Sequence, residues 1–132
     1  MTKYLLDSDI LMDFFKKKEY AVDSLDKLLI QGTPVISILS ITELRSGWTK
    51  EQAEQLLPKL YDLVKVLNLN KKIVELAGKY RQEYKNTKGV LLPVVDTLIA
   101  STAILEKCQL VTRNKKDFPM KEIKFYPLQS SL

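Results

Sequence analysis

The sequence predicts an α/β domain in which a central parallel sheet of four to five short strands lies between helices on both faces, a three-layer α/β/α arrangement. Short apolar runs alternate with segments whose apolar residues recur at three- and four-residue spacing, the pattern of strands joined by right-handed helical crossovers. The chain of 132 residues, with 45% hydrophobic and 28% charged side chains, suits one domain spanning 1–132 with its own core. Several of the apolar runs end in an acid. In parallel sheets ligands bind beyond the carboxyl ends of the strands, so those acids share one address.

The first strand is Tyr4-Leu5-Leu6, cut off by Asp7-Ser8-Asp9. Either Ser8 or Asp9 is expected to cap the helix Ile10-Leu11-Met12-Asp13-Phe14-Phe15, because a short polar oxygen satisfies its free N–H groups. Lys16-Lys17-Lys18 closes that helix at the negative end of its dipole. Tyr20, Val22, Leu25, Leu28 and Leu29 then mark a second helix, which Gly32-Thr33-Pro34 should break. Val35-Ile36-Ser37-Ile38 is a second strand, and the helix after it begins in Leu39-Ser40-Ile41-Thr42-Glu43-Leu44 and ends near Gly47. Ala53, Leu56, Leu57, Leu60 and Leu63 form another helical stripe, with Pro58 a kink or a break. Val64 to Leu67 is a third strand. Ile73, Val74, Ala77, Tyr80 and Tyr84 give a helix that ends in the polar loop Lys85-Asn86-Thr87-Lys88-Gly89. Pro93 suits the first turn of a helix running to about Lys107, and Gln109 to Thr112 and Ile123 to Tyr126 complete the strands.

Composition removes several chemistries. The chain has no His and one Cys, Cys108, so Ser/His/Asp and Cys/His nucleophile systems, imidazole acid/base catalysis and Cys/His zinc sites are all excluded. Cys108 lies in an apolar context and reads as a buried, inert thiol. No charge-free stretch is long enough for a bilayer span and no signal-peptide core is visible, so a cytoplasmic location is expected. Lys and Arg exceed Asp and Glu by 21 − 16 = 5, an excess that favours a polyanionic partner.

The acids carry the chemistry. Asp96 stands inside the most apolar stretch of the chain, Val90 to Ala100. A carboxylate there must be paired, bind metal, or sit in a first helical turn. Glu43 admits two readings, since Ser40-Ile41-Thr42-Glu43 also fits a capping box. Asp117 is either a site acid or a turn residue before Pro119, and Asp13 reads as part of a solvated face. Carboxylates gathered in one cleft repel one another unless a cation neutralises them. With no His and no useful Cys, that cation is a hard one, Mg²⁺ or Mn²⁺. Arg45, Lys85, Lys88, Arg113, Lys115 and Lys116 fall near the expected rim, where they could hold a nucleic-acid backbone.

Four segments taken together, Leu5 to Leu11, Ser40 to Gly47, Asp96 to Ala100 and Leu110 to Phe118, resemble the PIN domain, in particular the VapC-like toxins of toxin–antitoxin pairs. The resemblance implies a PIN-like fold, divalent-metal-dependent endoribonuclease activity, a homodimer and a cognate antitoxin. It places Asp7, Glu43 and Asp96 on the family's principal acids, which would hold the metal directly or through water. Asn114 or Asp117 would complete the cluster. Ser8 and Thr112 match polar positions that support the acids, and Asp9, commonly Asn in relatives, is expected to act as a cap and an outer contact. Two other readings fit some of these residues. One is a catalytically weak PIN-like module that binds RNA or protein. The other is a haloacid-dehalogenase-like phosphatase using Asp7 as nucleophile and Asp9 as acid/base.

Overall fold

A computed structural model of the chain describes residues 1–128. Its strands are β1 (Thr2–Leu6), β2 (Gly32–Ser37), β3 (Lys65–Leu67), β4 (Cys108–Val111) and β5 (Lys124–Phe125). They form one sheet in the order β3-β2-β1-β4-β5, with every neighbouring pair parallel. The helices are α1 (Ser8–Phe15), α2 (Glu19–Gln31), α3 (Ile38–Ser46), α4 (Lys50–Leu63), α5 (Lys71–Lys88) and α6 (Val94–Leu105), with a 3-10 turn at Lys115–Asp117. The expected three-layer parallel α/β/α architecture is the one observed. Among the described residues no helix is long and apolar enough to cross a membrane.

Side-chain alternation along the strands builds two cores. Tyr4, Leu6, Ile36 and Val111 face one way and pack with Ile10 and Leu11 of α1, Leu25 and Leu28 of α2, Leu44 of α3 and Leu60 of α4. Leu5, Val35 and Leu110 face the other way, against Tyr80 of α5 and Ile99, Ala100 and Ala103 of α6. Leu5, Leu6, Val35, Ile36 and Leu110 are fully buried, as expected of strands covered on both faces. Burying a side chain of that size stabilises the fold by about 1.5–3 kcal/mol.

Several local expectations are corrected. Gly32-Thr33-Pro34 ends α2 as expected, with Gly32 as its C-cap, but leaves no loop: the same residues open β2, with Gly32 opposite Thr2 and Pro34 opposite Tyr4. A Cβ on Gly32 would lie 2.1 Å from the Thr2 carbonyl oxygen, so close strand approach explains the glycine. β3 pairs only with Val35, Ile36 and Ser37, which leaves Pro34 without a neighbour on that flank, where its missing N–H is tolerated. α4 runs through Pro58 unbroken. Its N-terminus is held by a capping box of Thr49 and Gln52. α6 starts one residue later than expected, with Pro93 as its N-cap, and ends at Leu105.

The strand order reverses between β1 and β4. From β1 the chain winds outward through β2 to β3, then returns past the start to lay down β4 and β5. The crevice between the carboxyl ends of β1 and β4 is therefore the topological switch point, where α/β sheets bind ligands.

Candidate active site

Asp7 is the first residue beyond β1 and occupies that crevice. Its N–H continues the ladder to the Val111 carbonyl at 2.9 Å. Asp7, rather than Ser8 or Asp9, is the N-cap of α1, accepting the Ser8 N–H at 2.9 Å on Oδ1. Its Oδ2 accepts the Thr112 hydroxyl at 2.9 Å from the end of β4. Asp7 is only 8% exposed. Burial raises its pKa; the Thr112 and Ser8 hydrogen bonds oppose that rise, and the charge of Asp117 adds to it.

Glu43 is not part of a capping box. The N-cap of α3 is Ser37, whose Oγ accepts the Leu39 N–H at 3.2 Å, so Ser40 and Glu43 are both inside the helix. Burial raises the pKa of Glu43, followed by the charge of Asp7; a hydrogen bond with Ser8 opposes this and Asp96 adds to it. Asp96 lies in the first turn of α6, where the helix N-terminus faces it. Burial again raises its pKa most, then the charges of Asp7 and Asp117. Asp117 ends the 3-10 turn after β4. Asp7, Glu43, Asp96 and Asp117 thus come from four separate segments and act on one another through their charges.

The donor set is oxygen-only, crowded and electrostatically unfavourable by itself, which fits a hard divalent cation. Among the described residues no group of three or more Cys, Asp or Glu side chains is arranged to hold a metal ion alone.

Asp9 and Asp13 lie beside this cleft, in a depression of about 400 Å³ that they line with Met12, Arg113 and Asn114. Asp9 Oδ1 accepts the Ile10 N–H at 2.7 Å, and Oδ2 accepts the Arg113 N–H at 3.1 Å and the Asn114 amide at 3.0 Å. Burial, then the charge of Asp7, pushes the Asp9 carboxyl up to about 6. Asp13 is not on a solvated face. It is 8% exposed, accepts the Tyr20 hydroxyl, and pairs with Lys18 and Arg113 at 3.2 Å each. Burial works against its charge, but those three donors outweigh it and hold Asp13 below the usual range.

Of the basic residues, Arg113 also lies over the Tyr20 ring, 5.0 Å from its centroid, and Lys115 over Phe125 at 5.4 Å. Lys88 stacks on Tyr84 at 4.6 Å, and Tyr84 donates to the Pro119 carbonyl, which ties the end of α5 to the loop after Asp117; Lys85 is exposed. Arg45 donates to the Trp48 carbonyl at 3.3 Å, and Lys116 is exposed. Tyr20 as partner of Asp13 was missed. Its only sequence signal is a seven-residue separation, across the turn from α1 to α2.

The fold and the site together define a parallel α/β/α domain with carboxylates gathered at the switch point of its sheet. The family model for the PIN domain matches residues 4–125, and the chain belongs to the PIN domain family, on its VapC-like branch. It is 32% identical to Ribonuclease VapC1 of Methanocaldococcus jannaschii over 117 residues, covering 89% of this chain and 79% of that protein. Among solved structures it is similar to VapBC2 from Rickettsia felis bound to a promoter DNA fragment, with a TM-score of 0.83, 27% identity and coverage of 95% and 98%. It is also similar to a toxin–antitoxin complex from Klebsiella pneumoniae, with a TM-score of 0.74, 30% identity and coverage of 91% and 94%.

Proposed function

We propose that this chain is a divalent-metal-dependent endoribonuclease, the toxin half of a toxin–antitoxin pair. The observation that carries the reading is the convergence of Asp7, Glu43 and Asp96, delivered by three elements to one crevice, with each carboxyl raised by burial and by a neighbouring acid. Similarity to a named ribonuclease and to a toxin–antitoxin complex supports it.

Asp7, Asp96 and Glu43 would hold Mg²⁺ or Mn²⁺, in part through water, and the ion would supply a bound water acidic enough to yield hydroxide at neutral pH while offsetting charge on the phosphodiester. The protein's own groups orient that centre. Thr112 and Ser8 fix the rotamer of Asp7 with one hydrogen bond to each oxygen, which leaves further lone pairs on both for the cleft. Ser8 also steers Glu43. Asp117 is the better candidate for a fourth acid, because its charge acts on Asp7 and Asp96 while the Asn114 amide is engaged with Asp9. Exposed Lys85, Lys88, Lys115 and Lys116, with Arg45 and Arg113, would hold the RNA backbone as phosphate contacts.

A homodimer and a cognate antitoxin complete the proposal. Val90, Leu91, Val94 and Val95 present exposed aliphatic surface between 38% and 67% accessible around the start of α6, apolar area that a partner chain would cover. The test is cleavage of RNA by the purified protein in Mg²⁺ or Mn²⁺ and in excess chelator. Cleavage only with metal is expected. RNA binding without cleavage in either metal would replace this reading with that of a binding module.

A further inference from the structure

Asn114 engages its backbone N–H, its backbone carbonyl and its side-chain amide N–H within the protein. Its side-chain amide donates to Asp9 Oδ2 at 3.0 Å. Its backbone N–H donates to Thr112 Oγ1 at 3.0 Å, and that same hydroxyl donates to Asp7 Oδ2 at 2.9 Å. Its carbonyl accepts the Asp117 N–H at 2.9 Å. The Arg113 N–H adds a second bond to Asp9 Oδ2 at 3.1 Å. One residue therefore ties the start of α1, the end of β4 and the turn that carries Asp117.

We infer that Asn114 is a positioning residue: it forms an acid–amide latch with Asp9 that holds the turn ending in Asp117 against the acidic crevice, and its side chain does not face the ion. The inference rests on the reading of that crevice as the hydrolytic site. The latch works because one partner accepts and the other donates. An amide at 114 supplies an N–H donor to Asp9 Oδ2, whereas a second carboxylate would set two acceptors against each other at hydrogen-bond distance. The turn is exposed from Arg113 to Asp117 and its far end is anchored by the buried Phe118, so the latch is what fixes its near end against the crevice.

The test compares N114A, N114D, D9N and the exchanged pair D9N/N114D. Each is followed by kcat and KM for one RNA, by the Mn²⁺ concentration giving half-maximal rate, and by urea unfolding in chelator. N114A and N114D are expected to lose about 10- to 100-fold in kcat, the usual cost of an outer-shell partner, with KM for RNA little changed and more Mn²⁺ needed. D9N/N114D re-forms an amide–acid pair with the donor reversed. It should recover most of the N114D loss, though not all, since the Arg113 N–H loses its acceptor. Its unfolding midpoint should lie above the value obtained by adding the two single-variant shifts to the wild-type midpoint, the signature of direct coupling.

An N114D enzyme as active as wild type, or a D9N/N114D variant no better than N114D, would overturn the inference. If wild type cuts no RNA with either metal, the proposed function fails on its own. The latch is then still decided by coupling of positions 9 and 114 in the unfolding data, and additive shifts there would overturn it.

Discussion

The Thr112 hydroxyl donates to Asp7 Oδ2 at 2.9 Å, joining the carboxyl ends of β4 and β1 across 105 positions of sequence. Asp7 is nearly buried, and this is one of two hydrogen bonds that keep its charge tolerable there.

Thr112→Val keeps the shape of the side chain and removes that donor. A buried carboxylate losing a hydrogen bond costs about 1–3 kcal/mol, so the urea midpoint should fall measurably. RNA cleavage should drop about 10- to 100-fold, as for other groups that orient a metal ligand. Thr112→Ser should preserve both, and equal damage from Ser and Val would assign the effect to packing.

Stability should depend on pH in an uncommon direction. Asp7, Asp9, Glu43 and Asp96 all have folded pKa values raised above their ordinary ones, Asp9 from 3.8 to about 6. In the window between the two values the folded state binds more protons than the unfolded chain, so stability is lost as pH rises through the folded pKa. Asp13, whose pKa is lowered, contributes the opposite trend, lost only as pH falls through its depressed pKa below 3.8. In chelator, Tm should therefore decline from pH 5 to pH 7. Mg²⁺ or Mn²⁺ should reverse the decline, more strongly at pH 7 than at pH 5, and a Tm indifferent to both ions would count against a metal centre.

Asp96→Asn removes one of the mutually repelling charges, so it should separate stability from activity. In chelator the variant should melt higher than wild type, within the range of about 0.5–2 kcal/mol typical of relieved active-site strain. Its cleavage should fall by about 100-fold or more, the scale for losing one electrostatic stabiliser. Calorimetry on the metal-free protein and a cleavage assay check the two halves independently.

Tyr20→Phe tests the cluster around Asp13. The tyrosine hydroxyl donates to a carboxylate that is 8% exposed, and its loss should cost about 1–3 kcal/mol of stability. Asp13 retains Lys18 and Arg113, so activity should change less than stability. Urea unfolding alongside kcat distinguishes this from a direct role.

The fold was legible because its signals are local. Leu5 and Leu6 are apolar on successive positions, as a strand buried on both faces requires, and the helical stripes of α2 and α4 recur at their proper spacing. Asp7 follows β1 and Asp96 opens α6, so parallel topology sends both to one side of the sheet; Glu43, inside α3, was singled out by its motif and by the family resemblance. What escaped depends on partners far along the chain. Asp13 looked solvent-facing from its neighbours in α1, yet its fate is decided by Arg113, 100 positions away, and by Tyr20 across a turn. Asp9 and Asn114 each looked like independent site candidates, and only a 105-position contact pairs them. The caps failed for a subtler reason. Ser37 and Ser40 are both good N-cap residues, and the end of β2, which no short motif encodes, selects the first.

The most direct test of the central claim is a Mn²⁺ titration of wild type and Asp96→Asn, following cleavage of one RNA. A metal-dependent acidic centre gives no cleavage in chelator, a saturating rise for wild type, and a variant that stays inactive or needs about tenfold or more Mn²⁺ to respond. Cleavage that persists in chelator, or the same Mn²⁺ dependence in both proteins, would contradict it.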